Sequence, residues 1–424
     1  MSNSSDSDPL RSSRVLVAGL TVTLVVLALA LVVFTIGKAP ASSGHGGDRI
    51  NVLANSSNDC VTCHKRSTPG IVEQFGVSSK AAAGVVCEDC HVVAEDYPGA
   101  KEHQNTFVLR EPTTAMCANC HGAEVAQFNQ SRHSLPAYVA YAGTESLSAA
   151  HLQQYEAIPE GQFAPDKMRN AIFAMEGPDF TPFTCEACHN VGKPALDGSV
   201  GQCSSCHLRH EFSLEQARKP ETCNACHIGP DHPQFEIYME SPHGIAYATG
   251  GDRWNWEAKP GTLTPADFPA PTCATCHFSG FGSSGTTHDA GDRLTWFLFS
   301  PISARRPAWQ DNMVRMKSVC GSCHSTGFVD DFYIAADKAT ERVNEWVIES
   351  DEIIQPLKDL GLLTPEPFDE TIDFVHFNLW HHWGRTAKFG VWMQGPDYSQ
   401  WHGAYEILHE MAELKEKVAE KLAE

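Results

Sequence analysis

The apolar positions of this 424-residue chain fall into three patterns. Residues 15–36 form an uninterrupted run of uncharged, mostly apolar residues, which is long enough to cross a bilayer as a helix. The carboxyl-terminal part instead alternates apolar and charged positions with helical spacing. Between these two regions the hydrophobic periodicity is limited. Most of the chain's 25 prolines and 32 glycines lie in this middle part. The pattern predicts a mainly α-helical protein with long loops.

Two carboxyl-terminal segments carry the helical pattern. From Phe332 to Leu357 the recurring apolar residues are Val343, Trp346, Val347, Ile354 and Leu357. Residues 401–424 repeat it with Ile407, Leu408, Met411, Leu414, Val418 and Leu422. Glu413 and Lys417 form a favourable i,i+4 pair on the charged face. We expect long helices that pack on the rest of the chain or on another subunit, and a solvated surface helix of a monomer is the alternative.

The amino-terminal pattern predicts export. Arg11 and Arg14 precede the apolar run, so the positive-inside rule places a tail of residues 1–14 in the cytoplasm. We expect a transmembrane anchor over 15–36 and a flexible tether over 37–58, rich in Gly, Ser and Asn. The alternative is a cleaved signal peptide, although its apolar region is normally only about 7–15 residues. The predicted location is the bacterial cytoplasmic membrane, with the main body in the periplasm.

The pattern Cys-x-x-Cys-His occurs eight times and uses all 16 cysteines. This pattern attaches a c-type haem, with two thioether bonds and the histidine as proximal iron ligand. Zinc sites, thioredoxin-like sites and disulfide frameworks also use paired cysteines, but none requires a histidine after every second one. The eight units are Cys60, Cys63, His64; Cys87, Cys90, His91; Cys117, Cys120, His121; Cys185, Cys188, His189; Cys203, Cys206, His207; Cys223, Cys226, His227; Cys273, Cys276, His277; and Cys320, Cys323, His324.

Eight haems change the expected architecture. The motifs have irregular gaps, which argues against a repeat solenoid, and porphyrins would supply much of the apolar core. We predict a multihaem cytochrome c fold packed around eight covalent haems over residues 59–330, followed by a helical region over 331–424. The formal net charge of −21 disfavours nucleic acid and favours a basic partner.

The remaining histidines supply candidates for the second iron ligand. Electron-transfer haems with two histidine ligands need one more imidazole on the distal face. Thirteen histidines are not part of a motif, and His45, in the predicted tether, is the least suitable. The distal candidates are His103, His133, His151, His210, His243, His288, and, competing for another place, His381 and His382.

An enzyme needs one iron with an open position and groups beside it that handle protons. The stretch CNACHIGPDH, residues 223–232, places Asp231 and His232 directly behind a haem motif. These two residues are candidates for accepting protons from a nitrogen ligand. The alternative is that Asp231 caps a turn and His232 is another distal ligand.

The sequence resembles the octahaem hydroxylamine oxidoreductase family. The resemblance rests on residues 209–250, on MKSVCGSCHSTGFVDDFY (316–333), on GPDYSQWHGAYE (395–406) and on the motif order. It implies that the fourth haem, at His189, is catalytic and open to substrate, and that Asp231 and His232 are its acid and base. It also implies seven conducting haems with two histidine ligands each, and a homotrimer joined by the carboxyl-terminal helices.

Tyr398 bears on the direction of the chemistry. In oxidative members of that family a tyrosine from a neighbouring subunit is covalently bonded to the catalytic porphyrin, and reductive relatives lack it. Tyr398 stands at the matching position, with Tyr405 as a weaker candidate and an ordinary interface aromatic beside Trp401 as the alternative. The resemblance therefore favours oxidation of hydroxylamine, to nitric oxide or nitrite, or of hydrazine. Electrons would pass to a cytochrome c or a membrane quinone-linked protein.

Two other functions stay open. A reductive homologue would reduce nitrite or hydroxylamine to ammonia with the same pocket. A plain electron-transfer cytochrome would have eight six-coordinate haems and no open iron.

Overall fold

The computed structural model describes residues 50–158 and 167–423. Helix accounts for 59% and strand for 3% of it, which confirms the predicted mainly α-helical fold class. The first helix begins at Asp59, directly after Asn58, whose side chain accepts a hydrogen bond from the Val61 amide at 3.1 Å. Such a cap satisfies an amide that has no partner within the helix. Residues 50–58 lie against this part, because the Val52 amide donates to the Gly76 carbonyl at 3.0 Å.

The helices of the motif-bearing part are mostly short and are joined by loops. They are α1 (Asp59–Ser67), α2 (Pro69–Gly76), α3 (Ser79–Ala82), α4 (Cys87–His91), α5 (Thr114–Asn129), α6 (Leu135–Ala142), α7 (Ala149–Ala157), α8 (Ala171–Glu176), α9 (Cys185–His189), α10 (Leu214–Arg218), α11 (Pro220–Asn224), α12 (Gln234–Glu240), α13 (Pro242–Gly250) and α14 (Trp309–Cys320). Short 3-10 or π turns span Thr144–Ser146, Thr181–Phe183, Asn190–Gly192, Cys203–Ser205, Gly251–Arg253, Thr275–Ser279 and Gly282–Ser284.

A small antiparallel sheet follows the second motif. It comprises β1 (Val92–Val93), β2 (Lys101–His103) and β3 (Thr106–Val108), in the order β1-β3-β2. Val108 pairs with Val92 on one side and with Lys101 on the other. The sheet places His103 at the end of β2.

The carboxyl-terminal part contains the longest helices. They are α15 (Thr326–Asp359), α16 (Thr371–Asn378), α17 (Arg385–Met393), α18 (Pro396–Ser399) and α19 (Tyr405–Ala423), with π-helical turns at Leu379–Gly384 and Gln400–Ala404. The predicted helical segments are therefore confirmed. Most of their predicted apolar positions are buried, but Leu408 and Leu422 are 53% and 47% exposed. Glu413 and Lys417 form the predicted pair, at 3.4 Å.

Buried apolar side chains form separate clusters among the described residues. One joins α15, α16 and α19 through Ile354, Ile372 and Leu414. Another surrounds Trp254, Trp256 and Phe268 in a loop that precedes the seventh motif. Separate clusters are the arrangement expected if porphyrins fill the spaces between them.

The structure contradicts the predicted location at the cytoplasmic membrane. Within residues 50–158 and 167–423, no helix is both long enough and apolar enough to cross a bilayer. The run over 15–36, on which that prediction depended, lies outside the described residues, as do the predicted tail and most of the tether.

Candidate active site

The cysteine motifs lie on helices or helical turns. The α4 and α9 helices coincide with the second and fourth motifs. In the fifth, sixth and eighth motifs the histidine amide donates to the carbonyl of the first cysteine at 3.0, 2.9 and 2.9 Å. Residues three apart lie on the same face of a helical turn, so both thiols can reach one ring. None of the 16 cysteines forms a disulfide, so all of them are available for thioether attachment.

Five motif histidines face a second imidazole. Two imidazoles on opposite faces of one iron have ring centres about 6.2 Å apart, because each nitrogen lies about 2 Å from the metal and about 1.1 Å from its ring centre. The ring centres are 6.1 Å apart for His64–His103, 6.3 Å for His91–His210, 6.0 Å for His227–His133, 6.3 Å for His207–His288 and 6.1 Å for His324–His243. These residues fit haems with two histidine ligands.

The other three distal candidates lie elsewhere. The Nε2 of His151 is 2.9 Å from the Gly198 carbonyl oxygen. The ring of His381 stacks on Phe377 at 4.2 Å, and His382 lies beside the same phenylalanine at 5.8 Å. The structure does not bring these three to a motif histidine.

In the described part of the chain, three motif histidines have no second imidazole at this spacing: His121, His189 and His277. His189 differs from the other two in its surroundings. Its Nδ1 is 2.8 Å from the Ala137 carbonyl oxygen, and its ring centre is 5.8 Å from that of Tyr141. Burial lowers the pKa of His189, and the charges of His232, Asp231 and Arg385 act on the same imidazole. His232 lies 6.2 Å from His227 of the sixth motif, and Cys226 of that motif contacts the Cys188 carbonyl oxygen of the fourth motif at 3.9 Å. The predicted acid and base therefore lie near the fourth motif.

The Asp231–His232 pair lies on a loop whose two preceding residues are constrained. His232 Nδ1 lies 2.6 Å from Asp231 Oδ1. Gly229, just before the pair, has φ of 98°, a conformation that favours glycine. The Thr386 hydroxyl donates to the Pro230 carbonyl oxygen at 3.0 Å. The loop therefore presents both side chains in a defined orientation.

His232 also has a second neighbour of interest. Its ring centre lies 6.2 Å from that of His227, the sixth motif histidine. His133 lies on that same histidine at 6.0 Å. Spacing alone therefore admits either residue as the second ligand of the sixth haem, and the hydrogen bond to Asp231 is what distinguishes His232.

Sequence reasoning missed Arg385, which the carboxyl-terminal part contributes to the site. Its Nη1 lies 3.4 Å from Asp231 Oδ2 and donates to His381 Nε2 at 2.8 Å. Its Nε donates to the Phe299 carbonyl oxygen at 2.8 Å, and the Phe299 ring packs against His232 at 6.3 Å. The spacing of His381 and Arg385, four residues apart in a helix, was the available signal, because it places both on one face.

Lys388 binds the segment that follows Phe299. It is fully buried and donates to the Ser300 carbonyl oxygen and the Ser303 hydroxyl, both at 2.9 Å. Burial and the nearby charge of Arg385 lower the pKa of Lys388 to about 7.

The electrostatics keep Asp231 ionised. Burial alone would raise the pKa of the Asp231 carboxyl, but the hydrogen bond from His232 and the charges of His232, His381 and Arg385 hold it well below its usual range. Burial and the charge of Arg385 lower the pKa of His381 to about 2. The cluster therefore contains one carboxylate and one guanidinium, with His381 neutral.

Tyr398 lies outside this cluster within the chain. Its amide donates to Glu240 Oε1 at 3.3 Å, and its ring stacks on His402 at 5.1 Å. Burial raises the pKa of the Tyr398 hydroxyl, with help from Glu236 and Glu240. Among the described residues it contacts neither His189 nor His232, so its predicted role depends on a second subunit. Tyr405 is 48% exposed and packs on Trp401.

The motifs and the paired imidazoles define a c-type cytochrome with several haems. A family model described as a sevenfold multihaem cytochrome CxxCH matches residues 83–369. The chain belongs to this multihaem cytochrome family. The matched residues contain seven of the motifs, from Cys87 to His324. Covalent c-type haem is thus confirmed, whereas the count of eight haems, the residues that attach each one, and any tyrosine crosslink stay predictions. The first motif, at Cys60, Cys63 and His64, lies outside the matched residues.

Curated and solved proteins agree on the relationship. A probable nitrite reductase–hydroxylamine oxidoreductase fusion protein of Kuenenia stuttgartiensis is 30% identical over 263 residues. The match covers 54% of this chain but only 26% of that protein, so the chain corresponds to about a quarter of its relative. Resemblance to proteins like hydroxylamine oxidoreductase is therefore confirmed.

Two solved structures share the fold. A hypothetical multihaem protein has a TM-score of 0.73 at 21% identity and covers 86% of this chain and 95% of its own. The reducing HAO-like protein complex of Kuenenia stuttgartiensis has a TM-score of 0.64 at 19% identity and covers 86% and 85%. These likenesses confirm the multihaem cytochrome fold.

Proposed function

We propose that this cytochrome oxidises hydroxylamine, or hydrazine, at the haem attached to Cys185, Cys188 and His189. The proposal is carried by the ionised Asp231 at 2.6 Å from His232, beside the fourth motif. Oxidation of hydroxylamine to nitric oxide or nitrite releases protons along with electrons, so a fixed base beside the reacting nitrogen favours it.

The protein's own groups have distinct roles in this proposal. A c-type haem with an open coordination position supplies the site where a nitrogen ligand binds and from which electrons leave. Asp231 accepts the Nδ1 proton of His232 in a hydrogen bond, which leaves Nε2 of His232 free to take a proton. Arg385 holds the other oxygen of Asp231. The Phe299 ring packs edge-on against the His232 ring, with the ring centres 6.3 Å apart.

Electrons would leave through the haems with paired histidines. We propose a cytochrome c or a quinone-linked protein as the acceptor, because the net charge of −21 favours a basic partner. We also propose a homotrimer in which Tyr398 reaches the catalytic porphyrin of a neighbouring subunit.

The second candidate function is reduction of nitrite or hydroxylamine to ammonia. Two observations favour it: the curated relative is named in part as a nitrite reductase, and the guanidinium of Arg385 offers positive charge to an anion. The same His232 would then donate protons instead of accepting them.

The direct test is Asp231→Asn in the full-length, haem-loaded protein. We expect hydroxylamine oxidation with an artificial acceptor to fall by about 10²–10⁴-fold, the usual range for a lost acid–base group. The matched control is Asp351→Asn, because Asp351 also bonds a histidine, His376, at 2.9 Å but outside the pocket. That variant should keep wild-type turnover.

The other outcomes separate the alternatives. Wild-type protein that reduces nitrite with reduced viologen but does not oxidise hydroxylamine would establish the reductive function. Protein that does neither, and has no high-spin ferric signal in its electron paramagnetic resonance spectrum, would be a plain electron-transfer cytochrome.

A haem-stained denaturing gel tests the role of Tyr398. A tyrosine–porphyrin bond between subunits survives boiling, so we expect a trimer-sized band that collapses to monomer in Tyr398→Phe. A monomer band in both samples would eliminate the crosslink and support the reductive candidate.

A further inference from the structure

Arg293 is a fully buried guanidinium beside the seventh haem motif. Its side chain is 2% exposed. Within the residues that the structure describes, its hydrogen bonds go to backbone carbonyls of the segment that contains the second cysteine of that motif. The acceptors are the carbonyl oxygens of Thr275 at 3.3 Å, Cys276 at 3.0 Å, Phe278 at 3.5 Å, Ser284 at 3.3 Å and Gly285 at 2.7 Å.

Two glycines with positive φ lie in the segment around this guanidinium. Gly280 and Gly285 have φ of 63° and 73°, where a side chain would be strained. A Cβ at Gly280 would lie 3.1 Å from Nη2 of Arg293. The loop therefore packs closely around the guanidinium of Arg293.

No carboxylate ion-pairs with Arg293 among the described residues. The adjacent Asp292 is paired with Arg315 at 3.1 Å. Nε of Arg293 is buried and has no acceptor there. A guanidinium stays charged in proteins even when buried, so a positive charge remains in a low-dielectric place without a paired negative one.

This charge acts on the proximal histidine of the seventh haem. Arg293 donates to the carbonyl of Cys276, the residue before His277. A buried positive charge this close to the motif disfavours any added positive charge there, because the surroundings screen it little. Ferric haem carries one more positive charge than ferrous haem.

We propose that Arg293 raises the reduction potential of the haem attached to Cys273, Cys276 and His277, so that electrons collect there. In the transfer, this iron takes one electron and becomes ferrous, while a neighbouring haem iron gives up that electron and becomes ferric. Burial and nearby charge are two of the means by which a protein tunes a haem potential. The inference does not depend on which substrate the enzyme uses.

The test is a spectroelectrochemical titration of the full-length protein with its haems attached. In Arg293→Gln we expect one midpoint to shift to lower potential and the others to stay. Arg293→Lys keeps the charge and should titrate like the wild type. The matched control is Arg253→Gln, which makes the same charge change at a side chain that is 69% exposed and paired with Asp252; its titration should be unchanged.

A second variant keeps the test decisive where Arg293→Gln fails to assemble. Arg293→Met also removes the charge but places a flexible apolar side chain in the buried space, so the same midpoint should fall. Unchanged midpoints in Arg293→Gln, or in Arg293→Met when the first variant cannot be purified, would overturn the proposal. An equal shift in Arg293→Lys and Arg293→Gln would also overturn it, because hydrogen bonds and not charge would then set the potential.

Discussion

The motif-bearing part and the carboxyl-terminal helices are specified in different ways. In the carboxyl-terminal part, α15, α16 and α19 bury apolar side chains at regular helical spacing. In the motif-bearing part, the recurring contact is a pair of imidazoles from distant positions, such as His91 and His210. Periodicity predicts the first kind of packing, whereas in the second a ligand dictates which residues must meet.

The candidate active site lies where the two parts meet. Asp231 and His232 come from the motif-bearing part, and Arg385 comes from the carboxyl-terminal part. The helical region is therefore more than a support, because it supplies a charge that holds the predicted acid in place. Variants in each part should have separable effects.

The largest effect on stability is expected from Leu414→Ala. Leu414 of α19 is fully buried against α15 and α16, so its truncation should lower the free energy of unfolding by about 2–5 kcal/mol. Chemical denaturation followed by circular dichroism measures it. Leu408→Ala, on the same helix but 53% exposed, should cost less than about 0.5 kcal/mol. Equal losses in both variants would show that the buried face is not what stabilises this part.

Arg385→Gln should reduce turnover while the fold persists. A hydrogen bond to a charged group contributes about 1.5–3 kcal/mol, which corresponds to about 10–150-fold in rate. The pKa of Asp231 is held below its ordinary value partly by Arg385, so the variant should raise it. The carboxylate would then be lost at a higher pH as the solution is acidified.

The measurement is turnover against pH. The acid limb of the profile should move to higher pH in Arg385→Gln. Arg385→Lys keeps the charge but not the forked geometry, so it should keep the wild-type acid limb at lower turnover. An acid limb at the same pH in all three proteins would show that Arg385 does not act through Asp231.

Removal of one distal imidazole should give a spectroscopic effect without loss of the fold. His210→Ala removes the partner of His91, so a new high-spin ferric signal should appear in the electron paramagnetic resonance spectrum. His151→Ala serves as the control, because His151 bonds to Ser148 and Gly198 instead. A new signal in the His151 variant, with none in the His210 variant, would reverse the assignment.

The smallest effect is expected from Lys417→Gln. Its pair with Glu413 is partly exposed, so the free energy of unfolding should fall by about 0.3–0.5 kcal/mol. This decrease should be smaller at high salt. Denaturation at low and high ionic strength measures it. A larger loss that salt does not reduce would mean that Lys417 stabilises α19 through packing of its stem.

The sequence alone predicted the haem attachment residues, and it predicted the long carboxyl-terminal helices that the structure confirms. Covalent chemistry fixes the motif locally, since one helical turn brings two thiols and an imidazole to one ring. Helical spacing likewise predicted the burial of Ile354 and Leu414. Both signals are local, and therefore readable along the chain. The predicted membrane location depended on a similar local run, and the described helices do not support it.

Only the tertiary structure decided which distant residues meet. His103, at the end of β2, faces His64, and His210 faces His91 from more than a hundred positions away. Arg385 contacts Asp231 across 154 positions. No local pattern encodes such contacts, because they depend on how loops and helices pack in three dimensions. The buried charge of Arg293 is of the same kind: the sequence shows an arginine, and the fold leaves it without a carboxylate.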